Sequence, residues 1–289
     1  MSLRILMPTS CFLPKLGGVE VGLHNIAKRL TALGHKPHIL IPFSSYLKNY
    51  KLRKKLPYKI LPLPPKLNMI LLERSGFCVF LLERYFLLLQ FIYRFDIWHT
   101  TVGYPIGVAV IRFAVKRNIP HLVRCVGADI QVDESIKYGL RLDPRVDDLV
   151  KKWLPQADSL IAISNSVVKE YELLNVDPRR VERIPNGVDI KRFQAIDNKI
   201  ETRKRLGITS DDFVMLSVGR YHPKKNFESI INIAKILKDK ASFKYKFIIA
   251  GAGNQCLNDL IDRELLSDVI KVVPTSFGVS NYDELPDQE

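Results

Sequence analysis

Apolar residues in this chain keep changing period, and that change constrains the fold more than any other feature. Short runs that read as strands occur at Leu3 to Met7, His38 to Ile41, Tyr58 to Leu61, Asp96 to His99, His121 to Cys125 and Ser159 to Ile163. Between them lie stretches of helical spacing: Val19 to Leu33, closed by Gly34, then Met69 to Tyr93, Ile106 to Lys116, Val146 to Leu154 and a segment reaching Leu174. A short strand that is apolar on both faces needs cover on both sides. Alternating strands and helices supply it through a parallel sheet with a helix layer on each face. The expected class is α/β, of doubly wound, Rossmann-like type.

The rhythm stops at Pro185, Asn186 and Gly187 and restarts with a strand at Val214 to Val218. A helix over Asn226 to Leu237, a strand over Lys246 to Ala250, a helix over Cys256 to Leu266 and a strand over Val269 to Val273 follow. Two domains are therefore expected, residues 1–184 and 185–289. A chain of 289 residues, 47% hydrophobic and 26% charged, is large enough for two cores and excludes disordered, collagenous and coiled-coil classes. Only three strand-helix steps fit after Asn186, and Pro274 to Glu289 reads as a polar tail. The second domain is expected to be incomplete, as a fragment or as an unusually small unit.

Charge narrows the partners. Lys and Arg number 44 against 30 Asp and Glu, and the first 100 residues hold 15 of the former and 4 of the latter, a local excess of +11. Such a surface suits an anionic bilayer, a phosphorylated substrate or nucleic acid. The basic run Lys48, Lys51, Arg53, Lys54 and Lys55 is expected in an exposed connection; it lacks the interleaved stacking aromatics of a nucleic-acid groove, so nucleic acid is the weakest of the three. Leu67 to Phe95 is interrupted by Glu73, Arg74, Glu83, Arg84 and Arg94, so no membrane span is expected. Met1 to Met7 is a strand pattern rather than a signal peptide. Cys11, Cys78, Cys125 and Cys256 lie far apart without a CxxC pair and signal neither a zinc cage nor a disulfide framework. These features point to a cytoplasmic protein that can lie peripherally on the inner face of a membrane.

Three loops at expected strand ends carry chemistry. In Pro14-Lys15-Leu16-Gly17-Gly18-Val19-Glu20, two glycines precede a helix, where free N–H groups and the helix dipole can hold an anion; a turn that merely needs positive φ is the alternative. The pattern is not GxGxxG, which disfavours a nicotinamide or flavin cofactor. In Gly219-Arg220-Tyr221-His222-Pro223-Lys224-Lys225-Asn226, Arg220 and Lys225 lie at the carboxyl edge of a strand. A planar fork and a mobile point charge together suit a diphosphate, with solvated loop charges as the alternative. Gly251-Ala252-Gly253-Asn254 can admit a nucleotide base against bare backbone or serve as an ordinary helix entry.

Taken in order, the Gly17 to Glu20 loop, DSLIAISNSVVKEY, VERIPNGVDIKRF, SVGRYHPKKNFESII and FIIAGAGN resemble glycosyltransferase family 4, of the GT-B fold, across nearly the whole chain. The resemblance implies two Rossmann-like domains facing a cleft, with a nucleoside diphosphate sugar, UDP- or GDP-linked, bound mainly by the C-terminal one. It implies that Arg220 and Lys225 contact the donor diphosphate as the catalytic cations and that Gly251 and Gly253 lie near the base. Gly17 and Gly18 would approach donor and acceptor from the N-terminal domain, with Glu20 and Asp129 as acceptor-side candidates. Transfer with retention of configuration, no metal and no cofactor besides the donor is implied, toward a glycan or lipid-linked acceptor in surface polysaccharide or glycolipid synthesis.

Two departures qualify this. Family members commonly carry His-Gly-x-Asp where this chain has Val126-Gly127-Ala128-Asp129, and a valine side chain neither donates nor accepts a hydrogen bond. His99 and His121 are close in sequence but read as core or strand-edge residues. The family's paired glutamates, eight positions apart, have no counterpart before Glu289. The competing expectation is a catalytically impaired fragment that acts as a nucleotide-binding or partner-dependent subunit.

Overall fold

The computed structural model describes residues 1–13, 17–64, 76–190, 193–194 and 198–273. The chain divides into two compact units, one within Met1–Gly187 and one beginning at Val188.

The first unit is built on seven parallel strands: β1 (Arg4–Pro8), β2 (Lys36–Pro42), β3 (Lys59–Leu63), β4 (Ile97–Thr101), β5 (His121–Cys125), β6 (Ser159–Ala162) and β7 (Val181–Arg183). Their order is β3-β2-β1-β4-β5-β6-β7, so the winding reverses between β1 and β4, the topological switch of doubly wound sheets. Side chains alternate between the two faces of the sheet. Leu6, Leu40 and Trp98 pack toward Phe86 and Phe113, whereas Ile5, Met7, Ile39 and Ile41 pack toward Leu23 and Ala27 of the Gly18–Ala32 helix. Trp98 meets Phe86 and Phe113 at ring centroid distances of 5.2 and 5.1 Å and is fully buried. A third cluster, around Val123, Cys125, Leu160 and Tyr171, lies under the Pro144–Trp153 and Asn165–Leu173 helices.

The second unit holds three parallel strands, β8 (Phe213–Val218), β9 (Tyr245–Ala250) and β10 (Ile270–Val273), in the order β10-β9-β8. Phe247, Ile249 and Ile270 pack against Phe227, Ile231, Ala234 and Ile261 of the following helical segments. The sheet is thus α/β in both units, the second one smaller.

Several elements differ from the periodic reading. The basic connection contains two short helices, Phe43–Lys48 and Tyr50–Arg53, anchored by the buried Leu52. β7 and the Lys199–Leu206 helix carry no apolar period. The helix is fixed by its ends instead: the Asn198 side chain accepts from the Glu201 N–H at 3.2 Å, and Gly207 closes it with φ 71°. β4 begins at Ile97, because the Asp96 carboxylate accepts the Arg4 N–H at 2.7 Å. Regular α-helix starts at Val108 rather than Ile106, after a wider turn over Gly103–Gly107, and the last helix is confined to Asn258–Arg263 after a 3₁₀ turn. The long helix is described over Gly76–Tyr93; its expected start at Met69, part of the first glycine loop (Pro14 to Leu16) and the expected tail from Pro274 lie outside the described residues.

Candidate functional site

In the second unit the loops leaving β8 and β9 are stitched together. The Gly219 N–H donates to the Ala250 carbonyl at 2.9 Å, the Tyr221 N–H to the Ala252 carbonyl at 2.7 Å, and the Asn254 side-chain amide to the Gly219 carbonyl at 2.8 Å. Glycine is needed for that closeness. Gly251 has φ +142°, and a Cβ there would collide with the Gly219 carbonyl; at Gly253, φ +79°, a Cβ would sit 3.3 Å from that of Tyr221. The two glycines therefore face the neighbouring loop as well as any ligand. Asn254 is fully buried, and its Oδ1 lacks a partner among the described residues.

Arg220 and Lys225 stand on this platform, both exposed. The Pro223–Lys225 turn between them is capped by His222, whose Nδ1 accepts the Lys224 N–H at 3.1 Å, and is released by Asn226 in the left-handed region at φ 49°. That geometry folds the Lys225 stem back across Gly219, with Cε and Cδ at 3.6 and 3.7 Å from where a Cβ would be. Among the described residues neither cation is paired with a carboxylate. Two unmatched positive charges on a rigid turn at the carboxyl edge of a parallel strand can bind a doubly charged anion without first breaking an ion pair. Sequence reasoning missed Asn254, because the Gly219 carbonyl it binds is brought near only by the fold, and the His222 cap, a local bond two residues along the chain that depends on the side chain's rotamer.

In the first unit, Gly17 is extended at φ −154° and Gly18 is the first residue of its helix, so neither requires positive φ. The reason for Gly17 is steric: a Cβ would collide with the Glu20 carboxylate, which is buried and folded back over the helix start, where the dipole favours it. Among the described residues no heavy atom lies within 4 Å of the Gly18 Cβ position.

Asp129 is buried, with both oxygens engaged. It accepts the N–H groups of Gly103 at 2.6 Å, Gly127 at 2.7 Å and Val126 at 3.1 Å, which locks the loop after β5 to the loop after β4. Burial and the adjacent Asp129 push the Cys125 thiol well above its usual range. This is a loop clamp, and it holds Val126 just past the end of β5. His99 is buried, its pKa lowered to about 4 by burial and by Arg124. His121 is buried, with Nδ1 2.9 Å from the Ile119 carbonyl and 3.0 Å from Asp158. Arg124 donates to the Asn186 side chain, which anchors the IPNGVD segment to β5. Among the described residues no group of three or more His, Cys, Asp or Glu could hold a metal ion, and no helix is long and apolar enough to cross a membrane.

Comparison with known proteins adds to this geometry. Residues 16–192 match the family model described as Glycosyltransferase Family 4, and residues 198–284 match Glycosyl transferases group 1. The chain is 26% identical over 274 residues to alpha-monoglucosyldiacylglycerol synthase of Streptococcus pneumoniae, covering 90% of this chain and 58% of that protein. It is 35% identical over 180 residues to the UDP-Gal:alpha-D-GlcNAc-diphosphoundecaprenol alpha-1,3-galactosyltransferase of Escherichia coli, covering 58% of this chain and 43% of that one. The chain thus spans about half the length of these relatives. The fold is like that of Anabaena Alr3699/HepE, solved in complex with UDP and glucose, with a TM-score of 0.63 at 19% identity over 94% of this chain and 69% of that chain.

Proposed function

This chain belongs to glycosyltransferase family 4, and from that premise we propose that it binds a UDP- or GDP-linked sugar and serves its transfer to a glycan or lipid-linked acceptor. The observation that carries the reading is the turn over Gly219 to Asn226, which presents Arg220 and Lys225 unpaired on two stitched glycine loops. Departure of the sugar leaves negative charge on the diphosphate and positive charge on the anomeric carbon. Cations already in place stabilise that separation more than they stabilise the bound donor, which is what accelerates transfer. The retaining, metal-independent course belongs to this proposal: the leaving phosphate, held by Arg220 and Lys225, accepts the acceptor proton on the face from which it departs. Gly251 and Gly253 keep the backbone low beside the nucleotide. Gly17 and Gly18 serve donor and acceptor, Glu20 serves the acceptor side, and Asp129 acts by positioning the Val126 loop. The relatives' names support a nucleotide-sugar donor and surface-glycan or glycolipid synthesis. The +11 excess of the first 100 residues supports peripheral docking on an anionic membrane from the cytoplasmic side.

Calorimetric titration of the chain with UDP and GDP tests the donor site. Arg220→Ala should weaken binding roughly tenfold to a hundredfold, the loss of a charge-assisted hydrogen bond of about 1.5 to 3 kcal/mol, and Lys225→Ala should weaken it less. Unchanged affinity in a folded Arg220→Ala chain removes the assignment. A second reading, a partner-dependent subunit, is favoured by β8, which ends the sheet among the described residues and leaves Leu216 and Val218 63% and 70% exposed. Steady UDP release from UDP-sugar by the chain alone would count against that second reading.

A further inference from the structure

The direction in which the Arg220 side chain leaves its loop is set by the two planar peptide units that flank it. The unit after it is held at its N–H, which belongs to Tyr221 and donates to the Ala252 carbonyl at 2.7 Å, while the Tyr221 hydroxyl donates to Glu228 Oε1 at 2.5 Å. The unit before it is held at its oxygen: the Gly219 carbonyl accepts the Asn254 side-chain amide at 2.8 Å. The Gly219 N–H belongs to the preceding peptide, so its bond to the Ala250 carbonyl does not by itself stop the Gly219–Arg220 unit from turning. Asn254 is the side chain that fixes this rotation.

The local fold aims Asn254 at that carbonyl. Gly253, in the left-handed region at φ 79°, opens the Asn254–Leu257 3₁₀ turn, and the buried Leu257 roots the turn in the core with Phe227 and Ile249. Asn254 Nδ2 lies 3.1 Å from where a Gly251 Cβ would be, so the missing side chain of Gly251 makes room for the amide as well as for the Gly219 carbonyl. At the other end of the amide, Oδ1 is buried without a partner among the described residues. An orphaned buried oxygen is destabilising, and leucine, which has nearly the same shape, would avoid it. Packing alone therefore favours an apolar residue at 254. What asparagine adds is the donor that holds Gly219.

We propose, resting on the donor-site reading above, that Asn254 is a positioning residue for the nucleoside diphosphate: by holding the Gly219 carbonyl it directs the Arg220 guanidinium onto the diphosphate, without touching the nucleotide itself. A guanidinium stands at the end of a long side chain, so a small turn of the peptide at its root is amplified at its tip. A direction fixed beforehand also removes ordering that binding would otherwise have to impose. Lys225 is set by a different device, the His222-capped turn released at Asn226. Loss of Asn254 therefore acts on one of the two cations.

A double-mutant cycle in the full chain tests it, with Asn254→Leu and Arg220→Ala made singly and together and affinities measured for UDP against uridine and for GDP against guanosine. Asn254→Leu keeps the shape and removes the donor; Asn254→Ala, which leaves space, guards against a clash. Either should weaken UDP or GDP binding about three- to tenfold, the worth of one hydrogen bond, and leave the nucleoside unchanged, since Arg220 meets only the diphosphate. In the Arg220→Ala background the same change should cost less than about twofold, because the residue it acts through is gone. Equal losses for nucleotide and nucleoside would make Asn254 a prop of the whole glycine loop, and a full additive loss would make it independent of Arg220; each overturns the proposal. So does loss of hydrogen-exchange protection over Tyr245–Ala250 in both variants, which would make the residue structural. If Arg220→Ala weakens binding while both Asn254 variants bind as the parent chain does, this inference fails and the donor reading stands. If Arg220→Ala has no effect, or the parent chain binds neither nucleotide, the donor reading fails and takes this one with it.

Discussion

The two units share one strand-helix rhythm but place their polar groups differently. In the first, helices cover both faces of seven strands, and ionisable groups go inside with them: His24, His38, His99, Arg124 and Asp129 are all buried. In the second, three strands are covered well on the face of Phe247 and Ile249, while Phe213, Leu216 and Val218 along β8 are 60%, 63% and 70% exposed. Its charges, Arg220 and Lys225, stand on the surface. The contrast separates two ways of using a carboxyl-edge loop. Buried polar groups in the first unit hold loops in place, as Asp129 does through three backbone amides, whereas the second unit leaves its cations available and fixes only the backbone beneath them.

Acid should expose this difference most strongly. His24 and His99 have pKa values lowered to about 4 from 6.5, chiefly by burial, with Lys28 and Arg124 respectively adding to the effect. The folded first unit therefore binds fewer protons than its unfolded chain between those values. Its stability is complete above about pH 6.5 and falls as pH drops toward 4, by on the order of 3 kcal/mol for each histidine. Both tryptophans, Trp98 and Trp153, lie in the first unit, so intrinsic fluorescence follows it selectively. Denaturant midpoints by fluorescence should fall steeply from pH 7 to pH 4.5. Hydrogen exchange over Tyr245–Ala250 should change less; a parallel loss there would erase the distinction.

Packing gives the next largest contrast. Phe86→Ala empties a site between Trp98 and Phe113 and should cost about 3 to 5 kcal/mol by fluorescence-monitored unfolding. Leu216→Ala on the exposed strand should change the stability of its own unit by less than about 0.5 kcal/mol. A large loss from Leu216→Ala would mean that the β8 face is covered in solution.

The same contrast marks what periodicity could reveal. Elements with an apolar stripe are legible in the sequence, as are the loops at their ends, the Gly219 to Asn226 turn among them. The Lys199–Leu206 helix was not, because KIETRKRL has no stripe and is held by Asn198 and Gly207. Nor was the clamp: Asp129 reads as an acceptor-side acid until Gly103, 26 positions away, is brought to it at 2.6 Å. Gly251 looked like a ligand-facing glycine, but its immediate neighbour is Gly219, fixed by strand pairing that no local pattern states. What escaped the sequence were contacts between groups distant in the chain and a helix held by its ends rather than by an apolar stripe.

Gly251→Ala follows in size. At φ +142°, with the Gly219 carbonyl in the way, the new methyl must push two loops apart or change the backbone. A loss of about 1 to 3 kcal/mol in the second unit, with weakened UDP binding, is expected. Hydrogen exchange at β9 reads the first effect and calorimetry the second.

Gly18→Ala is the smallest change and the sharpest for comparing the two glycine loops. The residue opens the Gly18–Ala32 helix, and nothing among the described residues lies within 4 Å of its Cβ position, so none of them requires glycine there. Alanine lowers the entropy of the unfolded chain and favours helix, and should raise the stability of the first unit by about 0.4 to 1 kcal/mol. If glycine is instead there so that a substrate can approach the helix start, the variant should be more stable yet transfer more slowly. Stability gained with transfer intact would remove Gly18 from the proposed substrate-facing residues.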